Sequence, residues 1–93
     1  MKLARVAGTV VSTIHADFFE ARTLLLCDLL DERGRPQGSY LIAVDTVGAG
    51  AGETVLLIDE GNSARQVVGD AAAPLRTVIV GIVDEINLTT PPA

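Results

Sequence analysis

Apolar residues recur at every second position at the start of the chain, with Ala4, Val6, Gly8, Val10 and Ile14 on one face and Arg5, Thr9 and Thr13 on the other. A period of two with many β-branched residues predicts a long strand over residues 3–14. Gly8, in its middle, fits the bend or bulge by which a strand of a small barrel turns a corner. Residues 15–22 break the alternation with two acids and the adjacent Phe18 and Phe19, which predicts a loop whose aromatics cap the core.

The second strand, residues 23–30, is nearly all aliphatic and stops at the charged turn Asp31-Glu32-Arg33-Gly34-Arg35-Pro36. A short third strand, residues 39–44, is led by Tyr40 and runs into a stretch where Gly48, Gly50 and Gly52 alternate with small residues. Residues 54–59 form the fourth strand. In residues 61–69, Asn62 or Ser63 can N-cap one or two helical turns that Gly69 ends. Pro74 then opens the last strand, residues 75–88, with Val78, Val80, Ile82 and Ile86 on one face and Ile79, Gly81 and Val83 on the other. Residues 1–88 are expected to be one domain and residues 89–93 a frayed tail.

Five strands with a short helical insert between the fourth and fifth predict an all-β fold, a small OB-like barrel. Strands two and five are apolar on both faces, whereas a small antiparallel barrel buries only its inward face. The outward aliphatics, taken as Leu25, Leu29, Ile79 and Val83 or their neighbours in a shifted register, therefore need another cover. Packing against copies of the same chain would supply it.

Size sharpens that argument. A chain of 93 residues and 9.7 kDa is only marginally stable alone unless a metal, disulfides or partner subunits add burial. One cysteine, Cys27, excludes an intrachain disulfide, and Cys27 with the single histidine, His15, falls short of the four ligands of a structural zinc. Partner subunits remain. The net charge of −5, with the cations scattered from Lys2 to Arg76, argues against a binder of phosphate backbones. The three aromatics, two of them in a loop, also fail to make the stacking platform of a single-strand-binding barrel. No apolar run reaches the roughly 20 residues of a membrane span, and the first residues lack the sustained apolar core of a signal peptide. The expectation is a soluble, cytosolic protein without nucleic-acid or membrane partners.

Catalytic and cofactor chemistry finds no constellation here. The glycines of residues 48–52 are followed by Glu53 and a strand, rather than by a full helix or a Lys-Ser/Thr pair, so neither a dinucleotide loop nor a P-loop is formed. The glycines are better explained by positive φ or close backbone approach. Cys27, inside an aliphatic strand, reads as a small buried hydrophobe rather than a nucleophile paired with His15. Asp59-Glu60 and Asp84-Glu85 are neighbours on strands and point to opposite faces, so neither is an acid/base couple. For Arg65 the spacing leaves two readings open. One is a solvated helix residue; the other is a guanidinium fork donating to a carboxylate such as Asp45 or to carbonyls of a neighbouring chain.

Four segments resemble one family. Arg5-Val6-Ala7-Gly8-Thr9-Val10-Val11-Ser12-Thr13, Asp45-Thr46-Val47-Gly48-Ala49-Gly50 with Val55-Leu56, Gly61-Asn62-Ser63-Ala64-Arg65, and Pro74-Leu75 leading to Val80-Gly81-Ile82-Val83-Asp84 are similar, in order and spacing, to the EutN/CcmL proteins. The resemblance spans residues 2–88. It implies a homopentamer that caps the vertices of a polyhedral bacterial microcompartment shell, in the bacterial cytoplasm, beside hexameric shell proteins, with no catalysis and no cofactor. By position, Asp45, Gly48, Gly50, Asn62, Ser63 and Arg65 are then candidates for the subunit interface, and Ser12 and Thr13 for lining a narrow axial pore. Residues 15–22 and 31–38 match no family motif and, at a rim, would set which shell tiles the vertex accepts. The alternative is a small oligomeric barrel that binds a ligand through the Gly-rich loop 48–52.

Overall fold

A computed structural model describes residues 1–11, 22–69 and 75–88. The chain order is β1 (Lys2–Val10), β2 (Thr23–Leu30), β3 (Pro36–Asp45), β4 (Thr54–Asp59), α1 (Gly61–Val68) and β5 (Thr77–Ile82). The strands close into a barrel in the order β1-β2-β3-β5-β4, with β4 back against β1. Every pairing is antiparallel except β3 with β5, which is parallel and consists of Val44 opposite Val78 and Asp45 opposite Ile79.

Alternation along each strand sends Ala4, Val6, Leu25, Cys27, Leu29, Ala43, Val55, Leu57 and Ile79 into the barrel, where they form one buried cluster. The opposite parity feeds a second cluster on the outside of the wall. There Val44 and Val78 meet Ala64 of α1 and Leu75, with Leu24, Ile58, Val68 and Val80 packed against them. The amphipathic helix thus covers part of the outer face with its one apolar stripe. Leu25, Leu29 and Ile79 belong to the interior, not the outside. The outward aliphatics are their neighbours, chiefly Leu24, Leu26, Ile42 and Ile82, because a shift of one residue exchanges the two faces of a strand.

Several boundaries also move. Strand β1 ends at Val10, and its register slips between Val6 and Gly8, the irregularity that Gly8 suggested. Strand β3 begins at Pro36 rather than at residue 39, so the turn is confined to residues 31–35. Asp31 organises it by accepting from the amides of Arg33 (2.9 Å) and Arg35 (3.0 Å), while Gly34 takes φ +78°. Strand β5 stops at Ile82, not at residue 88, and residues 83–88 have no regular structure. Beyond Val83, whose amide donates to the Thr54 carbonyl (2.8 Å), the antiparallel partner β4 has run out. His15, Phe18, Phe19, Ser12 and Thr13 lie outside the described residues, as does the tail from residue 89.

Candidate assembly surfaces

The loop between β3 and β4 is built around two carboxylates. Asp45, the last residue of β3, accepts from the amides of Val47 (3.0 Å) and Gly48 (3.1 Å) through Oδ1 and of Ala49 (3.1 Å) through Oδ2. Glu53 Oε1 accepts from the Gly50 amide at 2.6 Å. Gly48 and Gly52 both have positive φ, +76° and +87°, a region where a Cβ is strained. The loop is then anchored to the wall. Val6 donates to the Glu53 carbonyl (2.9 Å), Gly52 donates to the Val6 carbonyl (2.8 Å), and the Thr46 hydroxyl donates to the Ile79 carbonyl (2.6 Å). Amides that could have cradled a phosphate are consumed by the chain's own carboxylates, so the loop is braced from within rather than built as an anion site, and Ala49 packs against the barrel interior.

The second candidate segment starts α1. Its N-cap is Glu60, with Asn62 and Ser63 inside the helix. Glu60 is in extended conformation, and its carboxylate accepts from the Asn62 amide (2.7 Å), the Ser63 amide (2.9 Å) and the Ser63 hydroxyl (2.7 Å). These bonds, led by the Ser63 hydroxyl, hold its carboxyl below the ordinary range. A negative cap also meets the positive end of the helix. Capping preferences favour Asn and Ser at this position, and the acid was overlooked because a side chain as long as Glu reaches those amides only once its backbone is extended. Gly69, left-handed at φ +73°, closes the other end as expected.

Arg65 donates through Nη2 to Asn62 Oδ1 (2.5 Å) within its own helix. Asp45 is occupied by its own loop, so the two sequence candidates are each satisfied locally. Asp45, Gly48 and Gly50 are brought into one loop, and Asn62, Ser63 and Arg65 onto the first turns of one helix.

A node that sequence reasoning missed lies at the end of β4. The Asp59 side chain, 9% exposed, accepts from the Thr77 hydroxyl (2.7 Å) and pairs with Lys2 Nζ (3.1 Å) and Arg76 Nε (3.3 Å). The Thr77 bond and then the two cations hold its carboxyl below the usual value despite burial. Asp59 thereby ties the N-terminal strand to β4 and β5; an acid ending an aliphatic strand was the available signal. Cys27 is fully buried, and burial with the negative charge of Asp45 raises its thiol pKa, which makes it inert. Among the described residues no three His, Cys, Asp or Glu side chains gather as metal ligands, and no helix is long and apolar enough to cross a membrane.

The fold also leaves apolar side chains uncovered among polar ones. On the outside of β1, β2 and β3 the cross-strand rows read Arg5, Asp28, Tyr40 and then Gly8, Leu26, Ile42. Tyr40 and Ile42 are 57% and 53% exposed, and Asp28 Oδ1 is shut off from solvent without a hydrogen-bond partner. Ile82, Ile86 and Leu88 are exposed where β5 ends and beyond.

Comparison with known proteins gives this surface its context. Residues 1–84 match the family model described as ethanolamine utilisation protein EutN/carboxysome. The chain is 41% identical over 86 residues, 92% of its length and 86% of the relative's, to the bacterial microcompartment shell vertex protein EutN of Salmonella typhimurium. Among solved structures it is similar to CcmL of Gloeobacter violaceus (TM-score 0.87, 40% identity, 96% of this chain and 91% of that one). It is likewise similar to the GrpN pentameric microcompartment shell protein of Rhodospirillum rubrum (TM-score 0.84, 40% identity, 96% and 100%).

Proposed function

The chain belongs to the EutN/CcmL family, and from that membership we propose that five copies form a ring that caps the vertices of a bacterial microcompartment shell in the bacterial cytoplasm. The observation that carries this is full-length likeness to pentameric shell proteins, 40% identical to GrpN over nearly the whole of both chains. The relatives are structural vertex proteins, and this chain is a structural protein rather than an enzyme.

The geometry supports the reading independently. A barrel of this size leaves apolar residues on its outer wall, the burial deficit that oligomerisation removes. Carboxylates that a catalyst would need free, those of Asp45, Asp59 and Glu60, instead brace a loop, join three strands and cap a helix. In the ring, the rigid loop carrying Asp45, Gly48 and Gly50 and the helix start carrying Asn62, Ser63 and Arg65 would meet or shape the neighbouring subunit. Ser12 and Thr13 would face the axis. Hexameric shell proteins would abut the five outer edges, each contact modest and all five strengthened by acting together. Residues 1–88 would make up the domain and residues 89–93 a frayed tail.

Native mass spectrometry of the purified protein at low micromolar concentration tests the proposal. A species of five times 9.7 kDa is expected; a stable monomer would overturn it.

A further inference from the structure

A ring of five identical subunits needs two different patches on each copy, because a head-to-tail contact joins one surface to another rather than to itself. The described residues offer two that match. The first is the outer edge of β3. On one side β3 is paired with β2 at Pro36 and from Tyr40 to Asp45, but on the other β5 reaches it only at Val44 and Asp45. Along residues 37–43 the second edge has no strand beside it among the described residues. Nothing in Gln37-Gly38-Ser39-Tyr40-Leu41-Ile42-Ala43 is charged. An open, uncharged edge is a template for another strand, and this one is regular from Tyr40 to Ala43, since its register with β2 slips between Pro36 and Tyr40.

The second patch is the segment after β5. Residues 84–88 are exposed and belong to no ladder, yet Ile86 and Leu88, two apart, are apolar. Two residues apart is the spacing that puts side chains on one face of a strand, as it does for Tyr40 and Ile42 on β3.

We propose that residues 84–88 of one copy lie along the free edge of β3 in the next copy as an added strand, with Ile86 and Leu88 covering Tyr40 and Ile42. The inference rests on the ring reading above and assigns the contact that closes it. Main-chain hydrogen bonds supply the attachment, and the apolar side chains set the register, the general logic of strand addition. It also explains why β5 stops short of the apolar pattern that follows it: Ile86 and Leu88 continue a strand whose partner lies in another subunit.

Hydrogen exchange on the wild-type protein, with native mass read from the same sample, tests this without a variant. In the pentamer, the amides of residues 37–43 that do not face β2, and those of residues 84–88, should exchange about tenfold or more slower than in an unstructured peptide. A second measurement mixes Ile42→Cys protein with Leu88→Cys protein and adds a short bismaleimide linker. A covalent dimer containing one copy of each variant is expected from the mixture and not from either variant alone; Cys27, fully buried, does not compete. A pentamer whose two segments exchange freely overturns the inference and leaves the vertex reading standing. Protection of both segments without the mixed cross-link overturns it too, since another contact then covers them. A wild-type monomer overturns the vertex reading itself and the inference with it.

Discussion

Asp59 is the residue whose removal should be most informative about what holds this barrel closed. In Asp59→Ala the Thr77 hydroxyl, buried at 8% exposure, loses its acceptor, which costs about 1–3 kcal/mol. The two ion pairs reach cations that are 49% and 77% exposed, so together they contribute at most about 1 kcal/mol. The expected loss is about 1–4 kcal/mol, and in a domain of this size that lowers Tm by at least about 4 °C and up to about 30 °C. Asp59→Asn keeps an oxygen for Thr77 and removes only the charge, so it should fall by about 1 kcal/mol, or about 5 °C.

Acid separates the two contributions. The Asp59 carboxyl titrates below its usual value of 3.8 in the folded chain. Its stabilisation is therefore complete above the unfolded value and is lost as pH falls through the lower folded one. The gap between wild type and Asp59→Asn should be full at pH 7 and narrow progressively below pH 4. Thermal melts followed by circular dichroism, all at one protein concentration because assembly makes Tm concentration-dependent, supply the readings. An Asp59→Ala protein melting within about 2 °C of wild type at pH 7 would refute the reasoning, as would a gap that widens on acidification.

Other outcomes follow from neighbouring sites. Gly48→Ala should destabilise by about 1–2 kcal/mol through its φ of +76°, read by urea denaturation, whereas Gly50→Ala, at negative φ, should cost less. Glu60→Ala should lower Tm and Glu60→Gln less so, and the wild-type advantage over the alanine variant should fade as pH drops through the lowered Glu60 value. Leu57→Ala, which opens a hole in the barrel interior where Leu57 is fully buried, should cost about 2–5 kcal/mol and yield a largely unfolded chain by near-ultraviolet dichroism. Arg65→Ala should leave the fold intact by dichroism and reduce the pentamer fraction in native mass spectra; an unchanged oligomer mass and Tm would remove Arg65 from the interface.

The strand content of this protein was legible because alternation is a local property. Each run with a period of two, from Ala4-Val6 to Val55-Leu57, became a wall of the barrel, and Gly69 stopped α1 because only its own φ was at issue. The family motifs were equally local, and they carried the functional reading. What depended on distant partners was decided by tertiary structure. Which parity of β2 and β5 faces inward was set by closure of the sheet, so Leu25 and Ile79 lie inside and Leu26 and Ile82 outside. Strand β5 ended where β4 stopped offering hydrogen bonds, although the apolar pattern continues to Ile86 and Leu88. Asp59 became a junction only when the chain brought Lys2, Arg76 and Thr77 within reach of its oxygens, whereas the Glu60 cap is local, its donors lying two and three residues on. Sequence periodicity specifies how a segment bends and which residues share a face. It does not specify what stands opposite, because that is a property of the closed barrel and no single segment contains it.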